Sequence, residues 1–172
     1  QDIVLGCYVA TKAPAEFAKY EKDEKAAAGL RKFAAIAEIE MAMAHGIVQR
    51  QSPIRFLVEE DGRRRWVVTT VGRALFNAIV PKGIAYQNRD MKKKALGELV
   101  FESYRQAGLA ATVEFLDRLK EFGFFNATRG GVSIGIEDLH IPSEKETLLG
   151  EASERVERFQ RAYQTGNITN GE

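Results

Sequence analysis

The feature that most constrains this fold is a heptad pattern of apolar residues between Pro142 and Glu172. Ser143 and Glu146 have the S-x-x-E spacing of a capping box directly after a proline, which predicts that a helix begins there. Spacings of three and four residues then alternate between the apolar positions, which are Leu149, Ala152, Val156, Phe159 and Tyr163. Such a seam is typical of a helix that is covered by a second helix. An amphipathic terminal helix packed on its own domain has nearly the same pattern, so that alternative stays open.

The residues after this seam favour a helical hairpin. Four residues predict a helix stop and a tight connection: Thr165, Gly166, Asn167 and Ile168. Thr169 and Glu172 repeat the capping-box spacing, which indicates the start of another helix. We therefore predict that residues 142–172 form the first arm and tip of an antiparallel helical hairpin, truncated at its tip, and that residues 1–141 form a separate domain.

Composition limits the classes of protein to which the chain can belong. Its 172 residues suffice for one domain with an appendage, and 45% hydrophobic and 28% charged residues are ordinary for a globular chain. The net charge of +1 excludes a bulk polyelectrolyte role, so any contact with nucleic acid must come from local basic patches. Cys7 is the single cysteine, which excludes an internal disulfide and a cysteine-based zinc site and predicts a cytoplasmic location.

Two further features concern targeting and the start of the chain. The sequence contains no apolar run of membrane-spanning length and no signal-peptide pattern, so we expect no membrane partner. Because the first residue is Gln1 and not Met, we also expect the chain to be an internal part of a longer protein.

Helical periodicity dominates the first half of the chain. Segments 1–11 and 33–45 carry apolar residues at helical spacing, and Gly46 is expected to end the second of them. The lysine- and glutamate-rich segment 12–32 is interpreted as a solvated connection or surface helix. Residues 74–80 fit either a short helix or a strand.

Two more helices are predicted after residue 90. The first opens at the lysine run Lys92-Lys93-Lys94 and extends through Tyr104. Gly108 separates it from a second helix at 112–122, for which Thr112 is the expected cap and Gly123 the expected end.

The clearest β element is a hairpin around Asp61-Gly62. This dipeptide lies between IRFLVEE and RRRWVVTT, which is the strongest short-range signal for a two-residue turn. The turn fixes the cross-strand pairs as Glu60 with Arg63, Glu59 with Arg64, Leu57 with Trp66, and Phe56 with Val67. The arginine run 63–65 could contact phosphate, but pairing with the two glutamates favours a structural role. A short strand is also predicted at 132–136.

Two charged groups invite a functional interpretation. Lysines at the start of a helix oppose the helix dipole, so Lys92-Lys93-Lys94 is a mild indication of function beside the alternative of a solvated helix end. Glu137, Asp138 and His140 could serve a metal or acid–base site. Two carboxylates and one histidine are too few for a complete site, which favours a solvated pair ahead of a helix. The sequence has no Walker, Rossmann or triad spacing.

Five blocks of sequence resemble one protein family in order along the whole chain. They are QDIVLGCY, TTVGRALFNAIVPKG, KKKALGELVFESYRQAGLAATVEFLDRLKEFGF, NATRGGVSIGIEDLHIPSEK and YQTGNITNGE. Together they resemble the largest catalytic subunit, β′, of bacterial DNA-dependent RNA polymerase, a nucleotidyltransferase. The resemblance is weakest between residues 12 and 51. The similar region of the family is the pore and funnel, which lines the secondary channel for nucleotide entry and for exit of the RNA 3′ end.

The resemblance implies roles for particular residues. Gln1 and Asp2 would lie nearest the active centre. Four basic residues would line the channel or contact a neighbouring subunit: Arg73, Lys93, Lys94 and Arg129. The hairpin tip would dock transcript cleavage factors and related regulators through Gly166, Asn167, Ile168 and Glu172. Some family members bind a guanosine tetraphosphate alarmone near the segment TVEFLDRL. Asp117 matches that site but Ala110 and Glu114 do not, so the site is not carried over.

The resemblance also implies what this segment lacks. The family's magnesium-binding NADFDGD loop, trigger loop and bridge helix do not occur in the sequence. We therefore expect no catalytic residue, no metal ligand and no cofactor in this segment, with Mg²⁺ bound elsewhere in the parent enzyme. The implied partners are the β, α and ω subunits, regulators at the tip, and nucleotides and RNA in the channel, with DNA bound only by the whole enzyme.

The predicted architecture is α+β. It is mostly helical, with one antiparallel β-hairpin, one short strand, and a C-terminal helix that forms one arm of a helical hairpin. Two functional interpretations follow: a non-catalytic segment of the polymerase that shapes the secondary channel, and a free-standing helical module that binds a partner helix. An upstream NADFDGD motif would favour the first, and a start codon directly before Gln1 would favour the second.

Overall fold

The computed structural model describes residues 1–60, 62–132, 135–169 and 171. In chain order it contains α1 (Asp2–Thr11), α2 (Phe17–Lys22), α3 (Glu24–Ala28), β1 (Lys32–Phe33), α4 (Ile36–Ala44), β2 (Pro53–Glu60), β3 (Arg63–Thr70), α5 (Val71–Asn77), α6 (Lys93–Gly130), a short 3₁₀ turn (Ile136–Asp138) and α7 (Lys145–Gln164). The chain divides into two compact units, Gln1–Val132 and Ser133–Glu172. The α+β prediction is confirmed, and residues 74–80, which fitted helix or strand, begin in α5.

The predicted hairpin is present with the predicted register. β2 and β3 pair antiparallel, with Glu60 opposite Arg63 and Leu57 opposite Trp66, and β1 adds a short parallel strand beside β2. Gly62 has φ of +72°, which a tight hairpin turn requires, whereas Asp61 lies outside the described residues. The ion pair of Glu60 within this hairpin runs diagonally to Arg65, at 2.7 Å.

One hydrophobic core lies on the inner face of this sheet. Alternate residues of β2 point inward, as the period of two in a strand requires, and three of them are buried: Ile54, Phe56 and Val58. α4 and α5 cover this face with four buried residues: Ile39, Ala42, Val71 and Ala74. Gly46, with φ of +69°, follows the end of α4 as predicted.

A second core lies between α1 and α6. The packing of these two helices shows that one predicted helix end is wrong. Gly123 does not end a helix, because α6 continues to Gly130. A Cβ atom at Gly6 would lie 1.8 Å from the backbone oxygen of Gly123, and a Cβ at Gly123 would lie 2.7 Å from the Cα of Ile3. Gly123 is therefore needed for close backbone approach of two crossing helices.

The predicted break at Gly108 is real, but the cap prediction is wrong. Gly108 has φ of +83° and ψ of 176°, so α6 consists of two helical segments on either side of it. Thr112 lies inside the second segment, where its hydroxyl donates to the backbone oxygen of Gly108 at 2.8 Å. The same hydroxyl lies 3.0 Å from the Ser103 hydroxyl, which joins the two segments across the kink.

The second unit consists mainly of α7 and its predicted seam. The helix begins at Lys145, two residues later than predicted, and no side chain caps it. The large residues of the seam are 53–61% exposed: Leu149, Val156, Phe159 and Tyr163. Gly166 and Asn167 donate back to Tyr163 and Ala162, the hydrogen-bond pattern of a Schellman stop. Cover of this seam by a second helix stays a prediction.

Two predictions in this unit fall partly outside the described residues. The strand predicted at 132–136 includes Ser133 and Ile134, which are not described, while Ile136 begins the 3₁₀ turn and is not in a strand. The second capping box depends on Glu172, which also lies outside the described residues.

Candidate functional site

A buried arginine holds together the part of the first unit in which the candidate residues lie. Arg73 is 5% exposed, and its Nε atom donates to the backbone oxygen of Thr11 at 3.0 Å. Its two terminal nitrogens donate to the backbone oxygen of Asn88 at 3.0 Å and to Asp90 Oδ1 at 2.9 Å. The ring of Phe17 lies against the guanidinium, 4.9 Å from Cζ to the ring centroid. Acceptors from α1 and from the segment before α6 thus converge on the guanidinium of Arg73.

A second link joins the end of α1 to the start of α6. The hydroxyl of Thr11 donates to the backbone oxygen of Cys7 at 2.7 Å and accepts from the backbone N–H of Met91 at 2.9 Å. Thr11 and Met91 are both fully buried. These bonds and the Arg73 network fix the backbone just before the lysine run.

The result is a groove between α1 and the start of α6. It has a volume of about 610 Å³ and is lined by Gln1, Val4, Leu5, Tyr8, Lys92 and Lys93. Two of the sequence-predicted residues, Gln1 and Lys93, are therefore brought together, although they lie far apart in the chain. Lys94 follows Lys93 on the exposed side of the same helix end, and Asp2 is exposed in the first turn of α1.

The chemistry of the groove combines an apolar floor with positive charge. Lys12 Nζ and Lys92 Nζ lie 5.9 and 5.8 Å from the centroid of the Tyr8 ring. Among the described residues, no carboxylate forms an ion pair with Lys92, Lys93 or Lys94. The N-terminus of α6 adds the positive end of its helix dipole. Such a surface suits a flat, partly apolar group that carries negative charge.

The remaining predicted residues lie elsewhere. Arg129 is exposed in the last turn of α6, where its Cζ lies 5.5 Å from the centroid of the Phe125 ring. Gly166, Asn167 and Ile168 follow α7 in the second unit. The predicted contacts of all these residues, and of the buried Arg73, with a channel, a subunit or a regulator stay predictions.

Sequence reasoning missed several residues of this site. Asn88 and Asp90 lie in a segment that has no periodicity, so no local pattern marks them as partners of Arg73. Tyr8 could have been found, because it lies one turn beyond Val4 on α1, whereas Lys92 belongs to the lysine run that the sequence already indicates as functional.

The geometry gives little support to an acid–base site, a metal site or a reactive cysteine elsewhere in the described residues. The backbone N–H of Gly135 donates to Asp138 at 2.8 Å, so this carboxylate closes a local turn. Within the described ranges, no group of three or more His, Cys, Asp or Glu residues is arranged to hold a metal ion. Burial raises the pKa of the Cys7 thiol to about 12, which keeps it protonated and unreactive at neutral pH. No helix formed by the described residues is long and apolar enough to cross a membrane.

Comparison with known families identifies the class of domain. The sequence model of the family described as RNA polymerase Rpb1, domain 3, matches residues 1–139 of this chain. Because the match covers most of the chain, the chain belongs to the RNA polymerase Rpb1 domain 3 family.

Individual relatives are similar over the full length of the chain. It is 37% identical to the DNA-directed RNA polymerase subunit beta' of Methylacidiphilum infernorum, 38% identical to that of Aquifex aeolicus and 39% identical to that of Stenotrophomonas maltophilia. Each match covers 100% of this chain. The chain spans 13%, 10% and 12% of the length of these relatives, respectively.

Proposed function

We propose that this chain acts in transcription as part of the β′ subunit of a bacterial DNA-directed RNA polymerase. The observation that carries the proposal is the similarity to β′ subunits over all 172 residues, at 37–39% identity. In this proposal the segment is not catalytic itself, has no cofactor of its own and works in the cytoplasm beside the β, α and ω subunits.

The finer part of the proposal concerns the secondary channel. The groove supports it, because its lysines, which pair with no carboxylate of the described residues, would attract a nucleoside triphosphate, and its apolar floor would contact the base. Gln1, Asp2, Lys93 and Lys94 then face nucleotides or the RNA 3′ end. Arg73 does not face the channel in this proposal, but positions the lysines by fixing the backbone that precedes the lysine run.

The hairpin arm would carry the contact with regulators. Gly166, Asn167 and Ile168 lie at the Schellman stop after α7, where a helical hairpin would turn. Transcript cleavage factors would dock there, with Glu172 as a further contact. The exposed seam of α7 also supports the alternative of a module that binds one partner helix.

A chimeric polymerase tests the proposal. The corresponding segment of the Aquifex aeolicus β′ subunit is replaced by these 172 residues, and assembly with the other subunits and RNA synthesis are measured. We expect assembly and synthesis. Failure of the chimera to assemble would contradict the proposal, provided that circular dichroism of the separate 172-residue chain shows that it is folded.

A set of lysine variants in the same chimera tests the groove. Replacing Lys92, Lys93 and Lys94 by glutamine should raise the KM for nucleoside triphosphates more than it lowers kcat, because the lysines attract the substrate without taking part in bond formation. The matched control replaces three exposed lysines of α2 and α3, namely Lys19, Lys22 and Lys25. Equal effects of the two triple variants would overturn the channel assignment while leaving the assembly result unaffected.

A further inference from the structure

A second basic cluster lies away from the groove and consists of Arg50, Phe125 and Arg129. The Cζ atoms of Arg50 and Arg129 each lie 5.5 Å from the centroid of the Phe125 ring. Arg129 belongs to the last turn of α6, whereas Arg50 lies between α4 and β2. The backbone oxygen of Arg50 accepts from the N–H of Gly72 at 2.7 Å, which fixes the backbone from which its side chain extends. Tertiary packing therefore places two guanidinium groups at one aromatic ring.

No carboxylate of the described residues forms an ion pair with either arginine of this cluster. Neither guanidinium forms an ion pair or a side-chain hydrogen bond there, and the Nε atom of Arg50 is buried without a partner. Six other arginines do pair with a carboxylate: Arg64, Arg65, Arg73, Arg89, Arg118 and Arg161. Burial, together with the positive charge of Arg129, lowers the pKa of Arg50.

We propose that Arg50 and Arg129 form a binding site for a phosphate dianion, with Phe125 as the support that holds the two guanidinium groups. Neither guanidinium donates a side-chain hydrogen bond to a described residue, so the terminal N–H groups of both arginines remain available, although the Nε atom of Arg50 is buried. Phe125 is 55% exposed and Arg129 is also exposed, so a dissolved anion can reach the cluster.

Charge and donor geometry favour phosphate over a carboxylate. A carboxylate accepts one bidentate guanidinium and carries one negative charge, which would leave the second arginine uncompensated. A phosphate monoester carries a charge of roughly −1.5 to −2 at neutral pH and has three acceptor oxygens, so its charge and its acceptors match two guanidinium groups. The site is separate from the groove, because none of its three residues lines the groove.

Nuclear magnetic resonance titration of the isotopically labelled 172-residue chain tests the site. Inorganic phosphate, adenosine monophosphate and a tetraglutamate peptide are added separately, and sodium chloride keeps the ionic strength constant, because salt screens exposed charges. The variants are Arg50→Gln and Arg129→Gln. The matched control is Arg105→Gln, which removes the same charge from an exposed position on α6.

We expect saturable shifts of the amide resonances at residues 50 and 129 with inorganic phosphate. Affinity should fall about tenfold or more in Arg50→Gln and in Arg129→Gln, as expected for loss of a charge-assisted bond, and should not change in Arg105→Gln. Equal affinity for adenosine monophosphate would show that the phosphate group alone is recognised, whereas tighter binding would identify a nucleotide as the source.

Three results would overturn the proposal. They are the absence of saturable shifts in the parent chain, an equal loss of affinity in Arg105→Gln, and tighter binding of tetraglutamate than of phosphate, which would make the cluster a docking site for an acidic protein segment. The spectra of the variants without ligand show whether each is folded. Arg129→Gln changes an exposed side chain, so it keeps the test valid if Arg50→Gln does not fold.

Discussion

The fold around the groove depends most on the side chain of Arg73. A buried guanidinium is costly unless its charge and its donors are satisfied, and here one carboxylate, two backbone oxygens and one aromatic ring satisfy them. These partners belong to three stretches of chain, so the arginine connects α1, α2 and the segment before α6 to α5. These partners explain why a basic residue is stable in the interior of the unit.

Replacing Arg73 by methionine should destabilise the chain by about 2–4 kcal/mol, because two backbone oxygens lose the guanidinium that donates to them and Asp90 keeps only the backbone N–H of Ala13 at 3.3 Å. The side chain of Asp90 is 32% exposed, so water offsets part of this loss. Arg89→Met is the matched control, since Arg89 pairs with Glu98 at the surface and should cost at most about 1 kcal/mol. Urea unfolding of both variants measures the loss of stability in each. An equal loss of stability in the two variants would contradict a special role for Arg73.

Glu60 should make stability depend on acid pH. The backbone N–H of Tyr86, which donates at 2.8 Å, and then the Arg65 side chain lower its pKa below the ordinary value of 4.5. The folded chain therefore holds this proton less tightly than the unfolded chain, so Glu60 stabilises the fold above pH 4.5 and loses this effect as the pH falls through the folded pKa. In urea titrations, Glu60→Gln should be less stable than the parent at pH 7, and the difference should shrink at low pH. A difference that is the same at both pH values would contradict this.

At the scale of elements, the crossing of α1 and α6 is determined by two glycines. Gly6 and Gly123 face each other where the backbones meet, and any Cβ atom there would collide with backbone atoms that cannot move aside. α1 is apolar around most of its circumference, so the crossing buries it against α6 and gives the groove one of its walls.

Gly123→Ala should lower the free energy of unfolding by about 1–3 kcal/mol or more, because the added Cβ overlaps the backbone of Ile3. Gly97→Ala, on the same helix, has no neighbouring atom within 4 Å and should stabilise the chain by about 0.5–1 kcal/mol through helix propensity. Thermal unfolding of the two variants should therefore show shifts of opposite sign. Stabilisation by both substitutions would mean that the helices do not cross this closely.

At the scale of the whole molecule, α7 leaves a row of large apolar residues in water. Burying one such side chain fully is worth roughly 1.5–3 kcal/mol, so the exposed seam favours any apolar partner. The 172-residue chain should therefore associate with a second copy through α7 as its concentration rises.

Val156→Glu combined with Phe159→Glu should abolish this association and lower the helicity, since a lone helix of this length is marginal in water. The control replaces two exposed arginines of the same helix, Arg155→Glu with Arg158→Glu, and should still associate. Analytical sedimentation and circular dichroism measure both properties. A parent chain that is monomeric at all concentrations, with α7 fully helical, would contradict the prediction.

The isolated chain should also show no magnesium-dependent incorporation of nucleotides. Two-metal phosphoryl transfer requires carboxylates that converge on the ions, and the described residues contain no such group. Primer extension with template, nucleoside triphosphates and Mg²⁺ measures this, with a complete bacterial polymerase as the positive control. Template-directed RNA synthesis by the chain alone would contradict both this prediction and the non-catalytic part of the proposed function.

The sequence by itself determined the local structure and the family. A two-residue turn between alternating strands leaves one register, so the pairs from Glu60–Arg63 to Phe56–Val67 followed directly from Gly62 and its neighbours. Helical periodicity and glycine stops similarly located α4 and α7, because these signals act within a few residues of the chain.

Only the tertiary structure decided which distant residues meet. The grouping of Gln1 with Lys93 depends on how α1 packs beside the start of α6. The groupings of Arg73 with Asp90 and of Arg50 with Arg129 depend likewise on tertiary packing, and no local spacing encodes any of these contacts. For the same reason the sequence alone predicts a helix end at Gly123, where the structure has a helix crossing. A glycine that ends a helix and a glycine that lets two helices touch are the same residue in sequence, and they differ only in the neighbour that packing places against them.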